Sequence, residues 1–310
     1  MTMDVKLSPE QEELVRSVRG ELSRHQSNFP AAGPSEADIG ALRTLEAAGY
    51  LDVISEGGTA VDAALVVEQA AAVAPGAPVA ARCLVAPLLT ARDLPSTIAL
   101  VERPHGTVVR FATEADAFVV LDGGDARFVL ANEADVVAAN TRWGYPVGRV
   151  SARGGESLGP GSGRELVTAW MIALAAEAGG LMEAATLHAS QHVTDRYQFG
   201  KPIGSLQSIQ HRLARAYVLA QGTKWLARRA AWDPTDRGAA AAAACYGASS
   251  LPHVLASAHQ VCGAIGFTDE FGLTRFTARM AMLQAELGGS SAHAIALAHH
   301  RWDPSVATTK

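Results

Sequence analysis

Arg196-Tyr197-Gln198-Phe199-Gly200-Lys201-Pro202-Ile203-Gly204 stands between two long stretches with a 3.6-residue apolar period, 164 to 195 and 205 to 231. Taken by itself the segment reads as a helix end, where a basic side chain complements the macrodipole and a glycine closes the turn. It also carries binding chemistry. Arg196 offers a rigid fork of donors suited to phosphate oxygens, while Gln198 and, further on, Gln207 hydrogen-bond without adding charge.

Outward from this segment the chain is mostly helical. The stretches 237 to 261, 271 to 285 and 290 to 301 keep the helical period. The alanine run 239 to 244 reads as a closely packed helix, because alanine is the strongest helix former and Leu251, Val254, Leu255 and Val261 continue its apolar content. Pro252 is expected to kink or restart that helix. Towards the N-terminus, Ser8-Pro9-Glu10-Gln11 reads as an N-cap, a proline at the first helical position and a capping-box partner, with Leu14, Val15, Val18 and Leu22 on one face. Further helices are expected over 39 to 48, closed by Gly49, over 61 to 73, and over 80 to 91. Between 94 and 160 the texture changes to short β-branched runs, 106 to 111, 117 to 121 and 135 to 138, separated by glycine, asparagine and aspartate. The expected organisation is mainly α with a small β domain: a helical domain over 1–93, a reduced β domain over 94–160 and a helical bundle over 161–310.

Composition narrows the function. The 310 residues can form more than one lobe, since single cores stop growing near about 250–300 residues. A net charge of −5 without a basic run argues against nucleic acid or an anionic membrane as partner. Cys83, Cys245 and Cys262 are scattered and lack metal-ligand spacing, as in a reduced cytoplasmic protein. The N-terminus mixes charges with short apolar steps, unlike a signal peptide or a membrane span. His188 and His192 share a helix face at i, i+4, but no third ligand accompanies them, so they read as structural, and His299-His300 as a basic helix end. Ile209, Leu213, Ala216, Tyr217 and Ala220 form an apolar stripe beside Trp225 and Trp232 that an oligomer interface or the bundle itself would cover.

The segment from Arg196 to Gly204, followed by Leu206, Gln207, Ile209, Gln210 and His211, resembles the signature of the acyl-CoA dehydrogenase C-terminal domain. A second segment, Gln260-Val261-Cys262-Gly263-Ala264-Ile265-Gly266-Phe267, is similar to that family's glycine-containing flavin segment, and Glu270 and Arg275 follow it in register. The resemblance implies an acyl-CoA dehydrogenase fold: N-terminal helical domain, middle β domain and C-terminal four-helix bundle. It also implies that Arg196, Gln198, Phe199, Gln207, Gln260, Gly263, Ala264 and Gly266 contact FAD across a subunit interface, at the pyrophosphate and adenosine end. Ala264 departs from the family pattern, which has a second glycine there. Its methyl group is tolerable if the backbone is not left-handed and obstructive if it is.

The family needs a glutamate as general base. One family position lies twenty residues after Phe267 and falls on Leu287; the other lies 26 before Arg196 and falls on Trp170. Neither accepts a proton. Glu286 is one residue, about 100° of helix, away from the first, and Glu165 is five residues before the second. The family's flavin-ring segments are also missing from 94 to 160, where Trp143 is a poor substitute. The resemblance therefore implies a base-lacking subunit of a heteromeric α2β2 dehydrogenase, paired with a full catalytic subunit and acting on a steroid side-chain acyl-CoA, with FAD shared and an electron-transferring flavoprotein as acceptor. The alternatives are an inactive homo-oligomeric scaffold and a self-sufficient dehydrogenase using Glu286.

Overall fold

The computed structural model describes residues 6–28, 36–89, 94–141 and 146–302. Helix α1 (Pro9–Asn28) starts as the capping signal dictates, with Ser8 Oγ accepting from Gln11 N and Gln11 Oε1 accepting from Ser8 N. Helix α2 (Ile39–Ala47) is capped by Asp38 and followed by Gly49 at φ 78. Helix α3 (Ala60–Val73) begins on a Thr59–Asp62 capping box. The expected fourth helix is different. Ala81–Val85 forms a π turn and Ala86–Leu88 a 3-10 turn. Pro87 explains the change, because it has no amide to give to Cys83 and its ring crowds that carbonyl; the end of the expected helix, like Trp143, lies outside the described residues.

The β region holds more strands than its β-branched runs suggested. One sheet contains β1 (Ile98–Val101), β3 (Ala117–Asp122), β4 (Asp125–Leu130) and β7 (Glu156–Ser157), in the order β1-β3-β4-β7. The other contains β2 (His105–Arg110), β5 (Ala134–Ala139) and β6 (Val147–Ala152), in the order β2-β6-β5. Strand β3 is apolar on both faces for a packing reason. Phe118 and Val120 join the core between the sheets, while Ala117 and Val119 join the core shared with the long helix α4 (Ser162–Asp195).

Helix α4 is the axis of the molecule. It packs against α3, α5 (Gln207–Trp232), α6 (Arg237–Cys262) and α7 (Thr274–Leu283), with α8 (Gly289–Trp302) lying on α6. By length and composition it could cross a membrane, but 83% of its apolar window is buried inside the protein. Gly179 and Gly180 allow close approach: a Cβ at Gly180 would lie 2.2 Å from the Glu68 carbonyl oxygen, and one at Gly179 2.6 Å from Lys224 Cγ. Around this contact, Arg228 grips the fully buried Glu68 with two bonds of 3.0 and 2.6 Å, and Lys224 Nζ binds Glu183 at 2.9 Å. Buried charges are tolerable here because each is paired. Helix α6 runs unbroken through Pro252, whose ring is exposed, so the expected break does not occur.

Candidate functional site

The segment that separates α4 from α5 is a small hairpin. Strand β8 (Tyr197–Gln198) pairs with β9 (Lys201–Pro202), and the two turn residues, Phe199 and Gly200, both have left-handed backbones at φ 57 and 77. That geometry matches the right-handed twist of a two-residue hairpin loop. Arg196 caps α4 in extended conformation, its N–H bonded to the His192 carbonyl and its own carbonyl accepting from Ile203 N at 2.8 Å. The side chains of Arg196, Gln198 and Phe199 are exposed, Phe199 by 86%, and Gln207 is exposed at the first position of α5.

The second motif ends α6. Gly263 has φ 68 and ψ −147, a conformation essentially restricted to glycine, and opens a 3-10 turn over Gly263–Phe267. Gln260, Gly263 and Ala264 are exposed. Ala264 is not among the residues with positive φ, so its methyl group is accommodated without backbone strain. Gly266 is different: it is buried, and a Cβ there would meet Cys262 Cβ at 3.0 Å, so it serves close packing. Phe271, just beyond this motif, ties the two segments together. Its carbonyl bonds His188 Nε2 at 2.8 Å and its ring meets that of His192 edge-on at 5.0 Å, one turn before Arg196. Burial, then the charges of Arg196 and His188, holds the His192 pKa down. The two histidines thus pack on Phe271, and no group of three or more metal-ligating side chains occurs among the described residues.

The positions expected for a base converge elsewhere. Trp170 Nε1 donates to Glu286 Oε2 at 2.9 Å, across 116 residues of sequence. Glu286 is also bound by Arg110, through Nε to Oε1 and Nη2 to Oε2, and the same guanidinium donates to both oxygens of Glu177 at 2.8 and 3.1 Å. One cation therefore serves two buried carboxylates. Burial raises the Glu286 pKa, Arg110 opposes the rise, and Glu177 adds to it. Leu287, in the left-handed region at φ 51, points its N–H at Glu102 Oε1 at 2.5 Å. The free space beside Arg110, Trp170, Glu177 and Glu286 is a cavity of about 40 Å3, far below the roughly 300–1,000 Å3 of a small-molecule site. Glu165 lines a separate cavity on another face of α4 and does not reach this cluster.

Arg110 and Glu177 were not singled out from the sequence, although a signal existed. Glu177 is the single charged residue between Leu166 and Met182. A lone carboxylate inside such an apolar helix requires a buried cation as partner.

Residues 170–301 match the family model for the acyl-CoA dehydrogenase C-terminal domain. The acyl-CoA dehydrogenase IpdE2 of Mycobacterium tuberculosis (strain ATCC 25618 / H37Rv) is 30% identical over 224 residues, covering 69% of each chain. The chain belongs to the acyl-CoA dehydrogenase family. It spans little of some other relatives: with YdiO of Escherichia coli (strain K12) identity is 34% over 106 residues, 33% of this chain and 28% of that one. Acyl-CoA dehydrogenase folds also match in structure. The Tcur3481-Tcur3483 steroid ACAD variant has a TM-score of 0.77 at 21% identity, covering 93% of this chain and 96% of that one. The ChsE4-ChsE5 complex from Mycobacterium tuberculosis has a TM-score of 0.78 at 19% identity, covering 96% and 98%.

Proposed function

We propose that this acyl-CoA dehydrogenase chain is the non-catalytic partner subunit of a heteromeric α2β2 enzyme that carries out α,β-dehydrogenation of an acyl-CoA, a steroid side-chain thioester in particular. The observation that carries this reading is the Arg110 cluster. Beside the two positions counted for the family's base, Leu287 and Trp170, Glu286 is held by Arg110 and Trp170 and faces a cavity of about 40 Å3. Ligand pockets are typically some 300–1,000 Å3. A flavin ring and an acyl chain do not fit there, and both Glu286 oxygens are already engaged by Arg110 and Trp170. The same observation counts against Glu286 as the base of a self-sufficient enzyme.

The far end of a cofactor fits this chain better. Arg196, Gln198, Gln207, Gln260 and Gly263 are exposed at one end of the bundle, and the glycine backbone at 263 leaves open space within 4 Å of its missing Cβ. In the proposed assembly Arg196 would donate to pyrophosphate oxygens of FAD seated mainly in the partner, and the glutamines would hydrogen-bond beside it. When bound, FAD supplies the hydride acceptor for the substrate's β carbon. The partner would supply the base, and an electron-transferring flavoprotein would be the acceptor. The two-component Tcur3481-Tcur3483 steroid ACAD and ChsE4-ChsE5 complex, which share this fold, support a two-subunit arrangement.

The test is to purify the chain alone and co-expressed with a full-length acyl-CoA dehydrogenase subunit, recording flavin absorbance per chain and dehydrogenase rate. Flavin and activity are expected only in the complex, at fewer than one flavin per chain, with flavin content lowered by Arg196→Ala and the rate unchanged by Glu286→Gln. An active, fully flavinated lone chain would falsify the proposal.

A further inference from the structure

Thr168 and Ile172 lie on the side of α4 opposite Trp170 and Glu177, as the 100° helical step requires, with Ala169 beside them. They border a cavity of about 690 Å3 whose other walls include Ile54, Leu84 and Pro87. That volume is within the range of small-molecule sites. The cavity is separate from the closed Arg110 cluster, and none of the flavin motif residues line it.

Its mouth is cationic. Arg164 and Arg237 line both this cavity and an adjoining one of about 260 Å3, which also contains His299 and His300. Arg82 is paired with Asp52, Arg110 with Glu177 and Glu286, and Arg228 with Glu68, whereas Arg164 and Arg237 are exposed. Arg164 and Arg237 make no ion pair among the described residues. Glu165 also borders the large cavity, and Asp236 lies 3.9 Å from His300 at the edge of the small one. Asp236 is paired with Arg229 at 3.3 Å, so Arg164 and Arg237 against Glu165 leave one positive charge at the rim, which suits a ligand with one negative charge. The Thr168 hydroxyl is engaged by the Arg164 carbonyl at 2.8 Å, so recognition falls to the guanidinium groups. Their planar forks match a carboxylate.

We infer that this crevice binds a small amphipathic carboxylic acid, its hydrocarbon body in the 690 Å3 cavity and its carboxylate between Arg164 and Arg237. The inference does not depend on the partner-subunit role.

The test uses the full chain and the fluorescent fatty acid cis-parinarate as probe, with dodecanoate, dodecanol and free coenzyme A as competitors. Saturable probe binding is expected, displaced by dodecanoate in preference to dodecanol and coenzyme A. Arg164→Gln combined with Arg237→Gln should weaken it roughly tenfold or more. Ala169→Trp, which fills the cavity, should abolish binding, and the arginine pair, being exposed, keeps the test valid if that variant misfolds. Absence of saturable binding overturns the inference. So does equal competition by dodecanol, stronger displacement by coenzyme A, or a double arginine variant that binds like wild type.

Discussion

The polar clusters at two levels of helix α4 are built in opposite ways. At the C-terminal end of α4, Arg196, Gln198, Phe199, Gln260 and Gly263 stand exposed, with polar groups turned to solvent and the backbone held in conformations that need glycine or a hairpin turn. Midway along the same helix, Trp170, Glu177, Glu286 and Arg110 satisfy one another in a closed cluster. Exposure keeps a polar group available to a ligand but contributes little to folding. Burial with full pairing removes the group from chemistry and makes the fold depend on it. Stability and flavin content should therefore separate cleanly between mutations at the two levels.

Arg110→Ala should have the largest effect. It leaves Glu177 and Glu286 buried without their cation, and breaking such a pair costs about 3–5 kcal/mol. A lowered urea midpoint with little change in slope is the expected result. Replacing both carboxylates by glutamine in the Arg110→Ala background should recover much of the loss. If the single variant unfolds at the wild-type midpoint, the fold does not depend on the cluster. By contrast Arg196→Ala should change stability by no more than about 0.5 kcal/mol, as expected for an exposed side chain.

Gly263→Ala comes next. Its φ of 68 and ψ of −147 place it where a side chain is strained, with nothing nearby to strike, so the cost is conformational. Such strain is worth about 1–3 kcal/mol. In the co-expressed complex the same variant should lower flavin absorbance per chain, because relief of the strain moves the exposed turn.

How much of this was legible depended on whether the information was local. The glycine segment and the helices α1 to α8 carry their signals in contiguous residues, and counting from Phe267 and Arg196 led to Leu287 and Trp170, whose immediate surroundings prove to be shared; the segment at 196–204 read as a helix end and is a hairpin. Arg110 was not found because its partners are 67 and 176 residues away. Strands β4 and β6 were missed because DARFVL and VGRVSA interrupt their apolar residues with arginine and small residues. The turn at Ala81–Val85 looked helical from its apolar content, and only the proline at 87 distinguished it.

Within the closed cluster, pH offers a finer test. Burial pushes the Glu286 carboxyl above its usual 4.5, with Glu177 adding and Arg110 opposing. A raised folded-state pKa means that the folded protein holds this proton more tightly than the unfolded chain. The contribution is fully present below about pH 4.5 and is lost as pH rises through the folded value, by at most about 1.4 kcal/mol per pH unit. Glu286→Gln removes the titration. Urea midpoints compared between about pH 4 and about pH 8 should therefore move against wild type relative to the variant as pH rises. A difference that moves towards wild type would place the charged Arg110 pair, not desolvation, in control.

The smallest effect belongs to Ala264, the position where the chain departs from the family's glycine. Because Ala264 does not have a positive φ, glycine gains nothing there in the folded state and adds freedom to the unfolded chain. Ala264→Gly should thus destabilise by about 0.4–1 kcal/mol. Its methyl group is exposed beside Gly263 and so lies on the surface that the proposed assembly would turn to the partner's cofactor. If the backbone alone makes that contact, flavin per complex should be unchanged in Ala264→Gly while it falls in Gly263→Ala. A gain in flavin in Ala264→Gly would instead mean that the methyl group weakens this chain's grip, and the departure at 264 would be a step in the loss of flavin contact that the closed cluster completes.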